Sequence, residues 1–409
     1  MANRKQQHFV PQFMLRHFAA DQGHKTKPRQ INLVNISSAK IIVGASLAGQ
    51  CYRDYFYGKD GVFEESLSQL EGVFSALARK MINSCSIDVR DGWDLILMIS
   101  LQRARTARAG DEFNSMAEKM LRLYMHNRVS EEVLRSVRIG LKEVANHNIS
   151  TAFKLAPLLM DLKQLLVINR TSTPFIIADN PVVSTNLFGR MKAPDRMAGL
   201  TRAGLQLFMP LSPQFGLLFH DPNVYSADAL GNVLRLKSKE DAFLLNELQW
   251  LNAYENIYFP PSLLKSDLDA LVAIKREPTE LSKMTRAERR GEEDGFVVTT
   301  KDEFAAPSEG VKSELVFVSA TTLSKDVRLR GIRIRDKPRY HDDGSMGSFV
   351  RDPIWEEIVR DFADEITHNN AKASQIWEFV ADHPDHDRVG PWLQRAARRT
   401  SRRRAQHPT

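Results

Sequence analysis

Apolar and polar positions along the chain fall into three stretches of different period. Phe9, Val10, Phe13, Met14, Leu15 and Phe18 are too dense for a free terminus, so the opening segment is expected to dock onto the rest of the fold. Residues 30–43 carry two β-branched runs around an Asn/Ser turn and predict a short hairpin. After the Gly58-Lys59-Asp60-Gly61 turn, Leu67, Leu70, Phe74, Leu77, Ala78 and Met81 recur at helical spacing. Gly72 weakens that helix by about 1 kcal/mol relative to alanine without forbidding it. A second long helix is predicted from about Trp93 to about Arg128, and a third across 130–147.

The period then shortens. DLKQLLVINR, PFIIAD, PVVSTN, LQLFMPLS and FGLLFHD are apolar runs separated by Pro, Asn and Ser punctuation. They predict a sheet of four to six mainly antiparallel strands, because several connections are too short for crossovers. Residues 239–256 return to helix, with Phe243, Leu244, Leu248, Leu251 and Tyr254 expected to face inward. Helices, then strands, then a closing helix define an α+β unit over residues 1–262. Residues 263–312 are poor in large apolar side chains across 276–312 and read as a linker or mobile insertion. Residues 313–387 read as a small C-terminal α/β region, with strands in ELVFVSA and VRLRGIRIR and helices at 353–368 and 371–381.

Charge changes this picture in one place. The net charge is +7, and the tail from residue 388 onward holds seven arginines and no acid, so the rest of the chain is neutral. Within the tail (388–409), Arg398, Arg399, Arg402, Arg403 and Arg404 are the expected contacts to nucleic acid or another polyanion. Two cysteines, Cys51 and Cys85, argue against a disulfide framework. With no apolar run of about 18–20 residues, the expected setting is the cytoplasm, without membrane contact. Gly-rich phosphate loops, paired CxxC motifs, HExxH and GxSxG are absent from the sequence, which leaves those chemistries without a readable claim. His383-Pro-Asp-His-Asp387 reads as a solvated turn rather than a metal cluster.

Four segments in order resemble a bacterial family catalogued as domain of unknown function 4238. They are His8-Phe9-Val10-Pro11 with Leu15 and Phe18, Gln102-Arg103-Ala104-Arg105-Thr106, Ala178-Asp179-Asn180-Pro181, and Pro210-Leu211-Ser212-Pro213. The resemblance spans roughly residues 6–260 and supplies positions rather than chemistry. Each position carries two readings. His8 is either a structural histidine bonded to a backbone carbonyl or a general base or metal ligand. Gln102 and Arg105 share a helical face; Arg105 is expected to bind a phosphate or carboxylate, or to pair with Glu64, Glu65 or Glu71 and fix packing, and the two roles are compatible. Asp179 and Asn180 either shape a turn before Pro181 or supply a catalytic or metal-binding acid, and Pro210–Pro213 is expected to be a turn.

Two functions follow from these readings. In the first, His8, Glu65, Glu71, Gln102, Arg105, Asp179 and Asn180 converge in one pocket. There they would hydrolyse a phosphodiester or other anionic substrate, with a divalent metal as an optional helper and phage defence as a suitable setting. In the second, the same residues lock helices to sheet, and the protein recognises nucleic acid or a protein partner. The first requires His8, Arg105 and Asp179 to be neighbours with functional atoms to spare.

Overall fold

The computed structural model describes residues 5–20, 29–126, 128–192, 199–276, 280–290, 297–299, 309–320, 325, 327–342, 349–369, 371–390 and 393–394. In chain order the N-terminal part contains β1 (Gln6–His8), α1 (Gln12–Arg16), β2 (Gln30–Asn35), β3 (Ile41–Ser46) and β4 (Tyr52–Asp54). The helices α2 (Val62–Ser84), α3 (Gly92–Ala104), α4 (Ala107–Met125), α5 (Glu131–Ser136) and α6 (Val144–Leu155) follow. Next come β5 (Lys163–Asn169), β6 (Ile177–Ala178), β7 (Val183–Thr185), α7 (Leu187–Lys192), β8 (Gln206–Ser212), β9 (Phe215–His220), β10 (Tyr225–Ala227) and β11 (Val233–Leu236). The family-like part closes with α8 (Lys239–Asn252) and β12 (Asn256–Phe259). Beyond it lie α9 (Lys265–Val272), β13 (Ser282–Arg290), β14 (Val297–Thr299), β15 (Val311–Ala320), β16 (Ile332–Ile334), β17 (His341–Asp342), β18 (Phe349–Val350), α10 (Pro353–His368) and α11 (Ile376–Asp382).

The class is α+β. A five-stranded sheet runs β11-β5-β9-β8-β7, antiparallel except where β11 lies parallel to β5. The hairpin β2–β3 forms with antiparallel register and joins β12 and β6 in a second sheet, ordered β3-β2-β12-β6. PFIIAD therefore leaves the main sheet: its two strand residues pair with β12 instead. Pro210 is inside β8 rather than in a turn. A bulge between Pro210 and Ser212 absorbs it, and the chain reverses just afterwards, where the Ser212 hydroxyl accepts from Gln214 and Phe215 N–H.

The opening segment docks as its composition requires, with Phe9, Val10, Met14, Leu15 and Phe18 buried. The long second helix does not run through. It breaks between α3 and α4, where Thr106 adopts extended backbone and its hydroxyl accepts from Ala109 N–H. The apolar period continues across the break, so the N-capping threonine is the only local mark of it. The third predicted helix is likewise two, α5 and α6.

Residues 263–312 contain α9 and the strands β13 and β14; β13 pairs with both β14 and β15 in a three-stranded sheet against α4. Ser115 and Ser282 share a 2.7 Å hydroxyl contact, and Lys119 donates to Ser282 O. The C-terminal part shares the main core rather than forming its own, because Trp355, Ile358, Val359 and Phe362 belong to one buried cluster with the α3 and β5 residues. Trp355 donates to Pro157 O, and Arg351 pairs with Asp161 at 2.7 Å. Among the described residues no helix is long and apolar enough to cross a membrane.

One buried group sets an acid response. His220, at the end of β9, is 1% exposed and neither ring nitrogen has a hydrogen-bond partner. Burial pushes its pKa down to about 4 from 6.5. Below the unfolded value the denatured chain takes up a proton that the native chain refuses, so stability falls between those two pH values. The loss is about 3 kcal/mol in total. Urea midpoints at pH 7 and pH 4.5 should therefore converge in His220→Leu; an unchanged acid limb in that variant would remove His220 as the cause.

Candidate functional site

Arg105 ends α3 and is 1% exposed. Its Nη2 donates to His8 O at 2.7 Å and meets Glu71 Oε1 at 2.7 Å, while Nε donates to Tyr57 Oη at 3.0 Å. One turn earlier, Gln102 Nε2 donates to Phe9 O at 3.1 Å. The shared helical face thus grips the main chain of the opening segment, and the buried cation finds its carboxylate on α2. Gln7 adds a second clamp, accepting from Tyr57 N–H and donating to Gly58 O. Tyr57 itself donates to His8 O, and burial pushes its phenol up to about 12.

The His8 side chain faces a cleft of about 740 Å³ between the opening segment and α2, lined also by Gln12, Arg16, Glu64, Ser68, Glu71 and Gly72. His8 Nε2 is 3.1 Å from Ala48 O and 3.2 Å from Gln12 Nε2, and Gln12 Oε1 accepts from Arg16. Burial lowers the imidazole pKa of His8, which favours the neutral ring. A Cβ at Gly72 would meet nothing within 4 Å. Gly72→Ala should accordingly stabilise the protein by about 1 kcal/mol in urea titrations, and a loss instead would reveal a close contact at that wall. Glu65 is exposed on the first turn of α2 and does not line the cleft.

Asp179 follows β6 and is buried. Its carboxylate accepts from the N–H groups of Tyr254, Glu255 and Asn256 at 2.7, 2.6 and 3.1 Å. Burial outweighs those three donors and pushes its pKa up to about 6. Asp179 thus anchors the turn from α8 into β12. His8, Glu71, Gln102 and Arg105 come together; Asp179 and Asn180 form a second cluster, joined to the first through Thr106, whose hydroxyl donates to Asn180 Oδ1 at 2.9 Å. Arg398, Arg399, Arg402, Arg403 and Arg404 lie outside the described residues.

The inward face of α8 meets the expectation in part. Leu248 is buried as expected, beside Ala242 and Leu245, while Phe243, Leu244, Leu251 and Tyr254 are half-buried; Asn246, Gln249 and Asn252 share the buried face at successive turns. Asn246 accepts from Ile176 N–H and donates to Pro174 O; Gln249 accepts from Ala178 N–H and donates to Pro181 O. Asn252 donates to Asn180 O and Val182 O. A carboxamide offers one acceptor and two donors, so this ladder serves the edge of β6 as a further strand would.

Behind the α3–α4 break is a smaller cavity of about 290 Å³. Its polar lining is Ser100, Arg103, Arg108, Glu112, Asn148, Thr151, Asn180, Ser184, Thr185 and Asn252. Arg108 is taken: Nε meets Glu112 Oε1 at 2.6 Å and Nη1 donates to Asn252 O. Burial raises the Glu112 pKa against the pull of Arg108. Arg103 has no hydrogen-bond or ion-pair partner among the described residues, with Glu112 a more distant attraction. Its side chain is exposed to solvent, and the protein packed around it lowers its pKa. Arg103 stands inside the Gln102–Thr106 motif, but sequence reasoning passed over it for its neighbours. Its signal was position: two residues before Arg105 on a helix, it points away from the clamp.

An α+β fold with a polar cavity lined by α3, α4, α6 and β7 defines the class. Residues 6–262, more than half of the chain, match the family described as "Protein of unknown function (DUF4238)", and the chain belongs to that family. No curated protein and no solved structure matches it. Among the described residues no three His, Cys, Asp or Glu side chains come together to hold a metal ion, so no ligand set is assigned to a divalent metal.

Proposed function

We propose that the family unit recognises a small anionic ligand in the cavity behind the α3–α4 break. The supporting observation is Arg103, a guanidinium without a protein partner among the described residues, in a pocket that also offers the Ser100, Thr151, Ser184 and Thr185 hydroxyls. Of the residues first expected to be catalytic, Gln102 and Arg105 fasten the opening segment, and the Asp179 carboxylate accepts from three backbone N–H groups. The anionic ligand of the hydrolase reading is kept, and its partner moves to Arg103. Glu112 favours hydrolysis as the second reading, because a carboxyl with a raised pKa in the same cavity is suited to proton transfer.

Thermal-shift titration with acetate, octanoate, phosphate and sulfate tests the reading. At least one should raise the melting temperature of the wild type and leave Arg103→Met unmoved; a panel that moves both proteins equally, or neither, removes it. For the tail we propose contact with nucleic acid through its arginines. Val389 and Leu393 are buried in the main core, so the part to remove is 395–409; its loss should flatten the salt dependence of binding to a labelled duplex, with each lost phosphate contact lowering the log–log slope by about 0.9. Tight binding by the truncated chain at moderate salt would assign the contact elsewhere.

A further inference from the structure

We infer that the cavity takes a singly charged oxyanion borne on an apolar body, a small organic carboxylate or phosphodiester rather than inorganic phosphate. The inference rests on Arg103 being the partner of the anion. Charge is the first argument. Arg103, Arg108 and Glu112 are the only charged residues of the described lining, and Arg108 and Glu112 neutralise one another at 2.6 Å. One uncompensated positive charge remains, and it matches one negative charge. A dianion would bring a second charge into a partly desolvated site that has only hydroxyls and amides left to meet it.

The walls are the second argument. Phe113, Met116, Leu155, Leu159, Leu200 and Leu205 line the same space. An inorganic anion would leave these surfaces wet, whereas an apolar body would cover them. Size is the third. At about 290 Å³ the cavity is at the small end of ligand pockets, room for a ring or a short chain and not for a polymer strand. The nucleic acid expected at the tail is therefore a different ligand from the occupant of this cavity.

Calorimetry on the full chain with octanoate, dibutyl phosphate, acetate, inorganic phosphate, octanol and octylamine separates the alternatives. Octanoate or dibutyl phosphate should bind about tenfold more tightly than acetate or phosphate, and the better of the two identifies the head group. Arg103→Met should weaken that binding about tenfold or more with no fall in melting temperature, since the lost cation has no protein partner to strand. Ala320→Trp, which fills the cavity from the end of β15 and leaves Arg103 in place, should weaken octanoate more than acetate. Phosphate binding more tightly than octanoate, still dependent on Arg103, would overturn the inference and leave anion recognition standing. Octanol or octylamine binding as well as octanoate in both wild type and Arg103→Met, or no anion binding at all, would overturn both.

Discussion

Arg105→Ala should cost about 3–5 kcal/mol in urea unfolding, the largest loss expected from a single substitution outside the aliphatic core. The guanidinium is buried and serves three partners on three segments: His8 O, Tyr57 Oη and Glu71. Truncation strands the half-buried carboxylate and removes the fork that ties α3 to the opening segment. Arg105→Lys should recover only part of the loss, because an ammonium is a compact charge and cannot reproduce the planar fork. Limited proteolysis supplies an independent readout: cleavage should appear near residues 5–20 before the rest of the chain is cut. Wild-type stability in Arg105→Ala would show that the network is dispensable, and the cleft-side cluster would again be open to a catalytic role.

Gln249→Leu should cost about 2–4 kcal/mol, although it places a larger apolar contact in a buried position. Leucine can neither accept from Ala178 N–H nor donate to Pro181 O, and both groups lie where water cannot replace the lost partner. Amide exchange would show the local effect, with protection lost at Ala178 ahead of the β5–β9 pair. Gln249→Glu should fare better at the N–H and worse at the carbonyl, since a carboxylate accepts but cannot donate. Equal stability of wild type and Gln249→Leu would show that the ladder contributes packing alone. The acid-dependent experiments on His220 need the same comparison between variants. Asp179 works in the opposite sense: its raised pKa contributes stability below about pH 4 that is lost as the pH rises through about 6.

Much of the layer plan was legible because burial on one face leaves a period. The β2–β3 hairpin, the dense opening segment and the strands β5, β8 and β9 follow from alternation or from continuous apolar runs. The α3–α4 break was not, because the apolar stripe runs through it and a single threonine marks it. The ladder on α8 was hidden for a related reason. Period-based reading assigns the inward face to apolar residues, and here carboxamides share it with Ala242, Leu245 and Leu248 because a short edge strand needs hydrogen-bond partners as well as apolar cover. The site divides the same way. That Arg105 would meet an acid of α2 follows from the cost of burying a lone cation, and Glu71 is that acid. Which of two arginines in one motif lacks such an acid depends on how far the helix has turned at each, and the sequence motif treats them alike.

The shared core between the family unit and residues beyond 262 bears on how the protein can be handled. A fragment ending there would lose Trp355 from Pro157 and the Arg351 partner of Asp161, and would expose apolar surface that α10 now covers. Such a fragment should be prone to self-association, and only the whole polypeptide would report faithfully on what the cavity holds.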